Sequence, residues 1–122
     1  MKFPEKLKKE IVDRLSTLID ETFDKSLFID ENILGEICQI SGETGYEIAL
    51  VVSRKGQILD VVCGDKNSAE IFIEENRGRL SGSRVIHTHP SGNPKLSNMD
   101  IALLKNKKLD CMCAVAIKEG KA

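Results

Sequence analysis

Hydrophobic residues recur at intervals of three and four along the first part of the chain, which is the spacing of one helix face. Within residues 4–23 these positions are Leu7, Ile11, Leu15, Leu18, Ile19 and Phe23. Pro4 suits a first helical position, so the pattern predicts an amphipathic helix over 4–23. A second helix is predicted to begin at Asp30 as its N-cap, to continue through Ile40 and to end at Gly42.

The pattern changes to that of β-strands after these helices. Residues 47–52 and 57–63 are rich in Ile, Leu and Val and flank Arg54-Lys55-Gly56, so they predict a β-hairpin. A loop containing Pro90, Gly92, Asn93 and Pro94 cannot be helical, and Ser97 opens a helix that reaches Lys105. Further strands are predicted over 69–73, 84–89 and 109–117.

These elements predict an α/β fold in one compact domain. Residues 1–42 form an N-terminal helical segment, and 43–122 form the α/β region. The last predicted strand lies close to the end of the sequence, so we expect the chain to be a fragment of a longer protein.

The composition narrows the class of protein. The 122 residues are 41% hydrophobic and include four Phe, one Tyr and no Trp, which predicts a modest aliphatic core. The net charge of -1 gives no reason to expect nucleic acid or an anionic membrane as a partner. No apolar run reaches the roughly 18 residues of a membrane span, and the N-terminus lacks the features of a signal peptide. We therefore expect a cytoplasmic protein whose four cysteines are reduced.

The two histidines lie close together, in His87-Thr88-His89-Pro90. Alternate residues of a strand point to the same face, so His87 and His89 can present both imidazoles to one ion. The loop that follows can bring back Asp100, in the first turn of the next helix, as a third ligand. Two nitrogens and one oxygen are typical of a hydrolytic zinc site, although Fe²⁺ and Mn²⁺ accept the same ligands.

A hydrolytic zinc site also needs a general base, because the attacking water must lose a proton. Glu47 begins an otherwise apolar strand and is the first candidate for this base, with Glu43 as the second. Ser97 lies three residues before Asp100 and could donate a hydrogen bond to the oxyanion of a tetrahedral intermediate.

Each of these features has a simpler explanation when it is taken alone. Two histidines on a strand can be ordinary surface residues. Ser97-x-x-Asp100 is also the pattern of a helix capping box, and Glu47 could be an exposed strand residue. Their combination in one short chain favours the metal site.

Two other groups of residues could carry chemistry. Cys111-x-Cys113 could be half of a thiolate zinc site, but two small buried thiols on one strand face are favoured, because Cys38 and Cys63 are solitary. Cys63 is a conceivable fourth ligand of the ion that His87 and His89 would hold. Three arginines around Gly82 could contact RNA, although a solvated loop is favoured; they are Arg77, Arg79 and Arg84.

The histidine motif resembles that of a known family. His87-x-His89-Pro90, six residues and then Ser97-x-x-Asp100, with an upstream Glu47, looks like the JAMM (MPN+) motif of zinc-dependent peptidases and isopeptidases, to which RadC-like proteins are similar. The resemblance implies a curved mixed β-sheet flanked by helices. It also implies zinc held by His87, His89 and Asp100, Glu47 as acid/base and Ser97 as oxyanion stabiliser.

A second resemblance covers most of the chain. The segments 45–65 (GYEIALVVSRKGQILDVVCGD), 79–89 (RLSGSRVIHTH) and 109–117 (LDCMCAVAI) are similar to the region that precedes the GTPase domain in long HflX-type, ribosome-associated GTPases. This implies a C-terminal GTPase domain and the ribosome as partners, and leaves a non-catalytic regulatory or interaction role open. The chain has no G-x-x-x-x-G-K-[ST] motif, so it is not expected to bind GTP itself.

Overall fold

The computed structural model describes residues 3, 5–24, 29–64, 82–90, 92, 105 and 109–117. Within these ranges two helices precede a four-stranded sheet, which confirms the predicted α/β class. The elements are α1 (Lys9–Thr17), a 3-10 turn (Leu18–Asp20), α2 (Glu31–Thr44), β1 (Glu47–Val52), β2 (Ile58–Gly64), β3 (Arg84–His89) and β4 (Cys111–Ala116).

The four strands form a mixed sheet in the order β2-β1-β3-β4. Strand β1 runs antiparallel to both β2 and β3, whereas β4 runs parallel to β3. The predicted bounds of β1 and β3 are confirmed, β2 lies one residue later than predicted, and β4 lies inside the predicted strand. The strand predicted over 69–73 lies outside the described residues. So does the helix predicted from Ser97, except for Lys105, which is helical.

The first helix is shorter than predicted. It begins at Lys9 and gives way at Leu18 to the 3-10 turn, so the prediction of one helix over 4–23 is wrong at both ends. Phe23 is buried although it lies beyond the helix, because its side chain packs in the apolar cluster on the helix side of the sheet. Its backbone N–H donates to the carbonyl of Gly56 at 2.7 Å. Its apolar spacing therefore reflects core packing rather than helix.

The second helix begins as predicted and ends later. The carboxylate of Asp30 caps it by accepting hydrogen bonds from the N–H groups of Asn32 and Ile33. The predicted end at Gly42 is wrong, because α2 continues to Thr44. Gly45 adopts the left-handed conformation, with φ of 76°, and its N–H donates to the carbonyl of Ser41.

Apolar side chains cover both faces of the sheet. One face packs against α1 and α2 and includes Ile48, Leu50 and Ile86 in a single cluster with Leu15 and Ile37. The helical segment and the strands thus share this core. The opposite face carries a second cluster, composed of Ala49, Val51, Val62, Val85, Leu109 and Met112.

The hairpin turn requires glycine at residue 56. Gly56 has a φ of 87°, and a Cβ added there would lie 2.7 Å from the carbonyl oxygen of Phe23. We expect Gly56→Ala to lower the free energy of unfolding by about 1–3 kcal/mol, measured by urea denaturation. Gly35→Ala is the matched control, because Gly35 lies within α2 and a Cβ there would meet nothing within 4 Å. It should raise the stability by about 0.5–1 kcal/mol, and equal effects of the two changes would contradict this description of the turn.

Of the helices in the described part of the chain, none combines the length and the apolar character needed to cross a membrane.

Candidate metal centre

The site is built by two neighbouring antiparallel strands. The register pairs Ala49 of β1 with His87 of β3. Side chains alternate between the faces of a strand, so Glu47 and Ala49 share a face with His87 and His89. This is the face that carries the second apolar cluster, opposite the helices. The backbone thus brings together three side chains that could ligate a metal ion.

The three side chains are close enough to hold one ion. The ligand atoms offered by Glu47, His87 and His89 all lie within 4.8 Å of one another. The ring centroids of His87 and His89 are 4.6 Å apart, with the rings tilted by 60°. The predicted convergence of the two imidazoles on one face is confirmed.

Glu47 contacts the ring of His87 directly. Its Oε1 lies 3.0 Å from Nδ1 of His87, and both side chains are 1% exposed. An ionised carboxylate can only accept, so this contact requires the tautomer in which Nδ1–H donates, and that tautomer leaves Nε2 of His87 as the nitrogen able to ligate a metal ion. Carboxylates commonly orient metal-binding imidazoles in this way. Glu47 is therefore a buried partner of the imidazole and not an exposed strand residue.

His89 lies where β3 ends. It is partly exposed, in contrast to His87. The carbonyl of His89 accepts hydrogen bonds from the N–H groups of Gly92 and Ile117, at 3.0 and 3.2 Å. These bonds fix the backbone where the chain leaves the strand. The site therefore has one buried and one more accessible imidazole.

Thr88 lies between the two histidines and points to the other face of the sheet. Its hydroxyl donates to Oγ of Ser41 at 2.7 Å and accepts from the N–H of Ile48 at 3.0 Å. Ser41 in turn donates to the carbonyl of Tyr46 at 2.7 Å. This buried chain links α2 to both site-bearing strands. The sequence analysis did not predict this chain of hydrogen bonds, although a threonine between two histidines of one strand was an available signal.

We expect Thr88→Val to lower the free energy of unfolding by about 1–3 kcal/mol, because it leaves the buried N–H of Ile48 without its acceptor. Thr88→Ser keeps the hydroxyl and is the matched control, with a loss of about 0.8 kcal/mol for the missing methyl group. Urea denaturation of both variants gives the comparison. An unchanged stability of Thr88→Val would show that the hydroxyl contributes nothing measurable.

The other candidate residues fall into two groups. Ser97 and Asp100 lie outside the described residues, so their roles stay predictions. Glu43 is not brought to the histidines, because it lies on α2 with its Oε2 3.6 Å from Arg14. Cys63 is buried in the cluster on the helix side of the sheet, so it is not placed to ligate the same ion as His87.

The cysteine pair and the arginines have other surroundings. Cys111 and Cys113 are partly exposed rather than buried, and their sulfurs are 3.3 Å apart. Arg84 is 7% exposed, donates to the carbonyl of Ser53 at 2.8 Å and lies over the ring of Phe23. It is therefore a structural residue, whereas Arg77 and Arg79 lie outside the described residues.

The donor set fits a borderline metal ion. Two imidazoles and a carboxylate suit Zn²⁺ well and also suit Fe²⁺. Comparison of the chain with family models, with curated proteins and with solved structures found no match. The chain's own residues are thus what defines the site.

Proposed function

We propose that this chain is a JAMM-like zinc-binding domain that hydrolyses peptide or isopeptide bonds. The observation that carries the proposal is the convergence of Glu47, His87 and His89, with ligand atoms within 4.8 Å of one another. His87 and His89 would supply nitrogen ligands, and Asp100 is proposed as the third ligand from the resemblance to JAMM proteins. We place the domain in the cytoplasm, where its thiols stay reduced.

The chain's own residues have separate tasks in this hydrolysis. Zinc, when bound, supplies a Lewis acid that acidifies water to a pKa of about 7. Glu47 is proposed to receive a proton at its carboxylate and to return it to the leaving amine. Ser97 is proposed to donate a hydrogen bond to the oxyanion. His87 keeps its orientation through the contact of Nδ1 with Glu47.

A second candidate function is non-catalytic. The carboxylate of Glu47 is engaged with the ring of His87, an arrangement that also suits a purely structural metal site. In that case the chain would be a regulatory or interaction domain that precedes the GTPase domain of an HflX-type, ribosome-associated protein. Its partners would then be that GTPase domain and the ribosome rather than a substrate.

The first test is the metal content of the purified, tag-free chain, measured by mass spectrometry after dialysis against metal-free buffer and again after addition of Zn²⁺. One zinc per chain is the expected result. The zinc-loaded chain is then incubated with peptide and isopeptide substrates, and cleavage is scored with and without a chelator. Chelator-sensitive cleavage supports the hydrolase. One zinc without cleavage supports a structural metal site in a non-catalytic domain. No zinc contradicts the hydrolase and leaves only a regulatory or interaction role that needs no metal.

A further inference from the structure

Two cysteine sulfurs lie side by side on β4, the last strand of the sheet that the described residues form. Sγ of Cys111 and Sγ of Cys113 are 3.3 Å apart, both side chains are partly exposed and both thiols are free. We propose that Cys111 and Cys113 form a chelating dithiol site for one thiophilic species, either a trivalent arsenical or a soft divalent cation. Both ligand types bind two adjacent sulfur donors more tightly than a single one, because the second bond is intramolecular.

The separation of the sulfurs suits chelation. Two thiolates about 2.3 Å from a tetrahedral zinc-sized ion lie about 3.8 Å apart, so small side-chain rotations bring this pair into position. A disulfide needs Cα atoms no more than about 6.8 Å apart. Positions i and i+2 of an extended strand lie about 6.6 Å apart, near that limit. A disulfide of this pair would therefore form near the outer limit of ordinary disulfide geometry, whereas chelation needs no change of the backbone.

The dithiol site is separate from the candidate metal centre. Cys113 packs against the cluster on the helix side of the sheet, and the register places it beside Ile86. His87, by contrast, pairs with Ala114 and points to the opposite face. Because the two sites lie on opposite faces, the donor residues of one site can be substituted while the donors of the other are kept.

The raised pKa of Cys113 favours an arsenical as the probe. Burial and the hydrogen bond with Cys111 raise the pKa of Cys113 to about 12, and the positive charge of Arg84 opposes this only in part. A divalent cation must displace that proton. An arsenical such as phenylarsine oxide condenses with thiols directly. The arsenic–oxygen bond and two S–H bonds break, two S–As bonds form, one water leaves, and arsenic remains trivalent, so no oxidant is needed.

The test is intact-protein mass spectrometry of the chain after incubation with phenylarsine oxide, in a buffer that contains a phosphine reductant. We expect one adduct per chain that survives excess glutathione, a monothiol, and is removed by dithiothreitol. Cys111→Ser and Cys113→Ser should each weaken binding at least about 100-fold, because a single thiol loses the chelate advantage. The matched control is the Cys38→Ala/Cys63→Ala double variant, which keeps the pair and should keep the adduct.

Three results would overturn the proposal: neither an arsenical adduct nor thiolate-to-cadmium absorption on the wild-type chain, an adduct retained by both single variants, or an adduct lost only in the control. Peptide mapping provides a test without variants, since the arsenical should block alkylation of Cys111 and Cys113 together. Titration with Cd²⁺ distinguishes the two ligand types. Thiolate-to-cadmium absorption that both single variants lose supports a soft cation, and an arsenical adduct without it supports the arsenical alone.

Discussion

Replacing His89 by alanine is expected to abolish stoichiometric zinc binding, and His87→Ala should do the same. These are the chain's only two histidines, so no other imidazole can take their place. Removal of an outer-shell partner typically costs a zinc site up to roughly 100-fold in affinity. Removal of a direct ligand should cost more than that. The measurement is zinc per chain after dialysis, with competition against a chelator for the affinity.

His89→Ala is the cleaner of the two variants. His89 is partly exposed, whereas His87 is 1% exposed and contacts the buried carboxylate of Glu47. Loss of that contact can cost about 3–5 kcal/mol of stability, so unfolding must be measured beside metal content. The Cys111→Ser/Cys113→Ser double variant is the control, because it removes the thiols and should keep the zinc. Full retention of zinc in both histidine variants would rule out the site.

The described strands were predictable because each is a short run of mostly apolar residues bounded by turn residues. Strand β1 is an apolar run, and its hairpin with β2 is marked by the glycine that the turn requires. The ends of the helices were less predictable. In α1 the apolar spacing continues past Thr17 into Phe23, which lies beyond the helix and packs in the same core. In α2 the choice between Gly42 and Gly45 depends on which residue adopts a positive φ, and two nearby glycines do not reveal it.

The site was predictable in its residue types and only partly in its geometry. Strand alternation alone places His87 and His89 on one face. The position of Glu47 depends on the pairing of β1 with β3, two strands separated by β2 and a further stretch of chain. No local pattern fixes that register. The same register creates the buried hydroxyl chain through Thr88, which sequence reasoning did not find. Asp100 and Ser97 remain predictions.

Substitution of Glu47 is the second change with a large expected effect, because it separates proton transfer from orientation of His87. Glu47→Gln removes the base but keeps an amide oxygen that can accept from Nδ1–H. We expect hydrolysis to fall by about 10²–10⁴-fold while zinc affinity stays nearly unchanged. Glu47→Ala removes the acceptor as well, so its zinc affinity should fall about 10–100-fold. The measurements are cleavage rate and chelator-competition affinity.

Glu43→Gln is the matched control for this pair, because it makes the same chemical change on α2, where Glu43 is paired with Arg14. It should alter neither cleavage nor zinc affinity.

Nitrogen-15 NMR of metal-free His87 adds a readout independent of activity. The imidazole proton should stay on Nδ1 in the wild-type chain and in Glu47→Gln, and should exchange between the two ring nitrogens in Glu47→Ala. Unchanged cleavage in Glu47→Gln would remove Glu47 from proton transfer. Unchanged affinity and an unchanged tautomer in Glu47→Ala would remove it from orientation of the ligand, because the 3.0 Å contact with His87 would then have no measurable consequence.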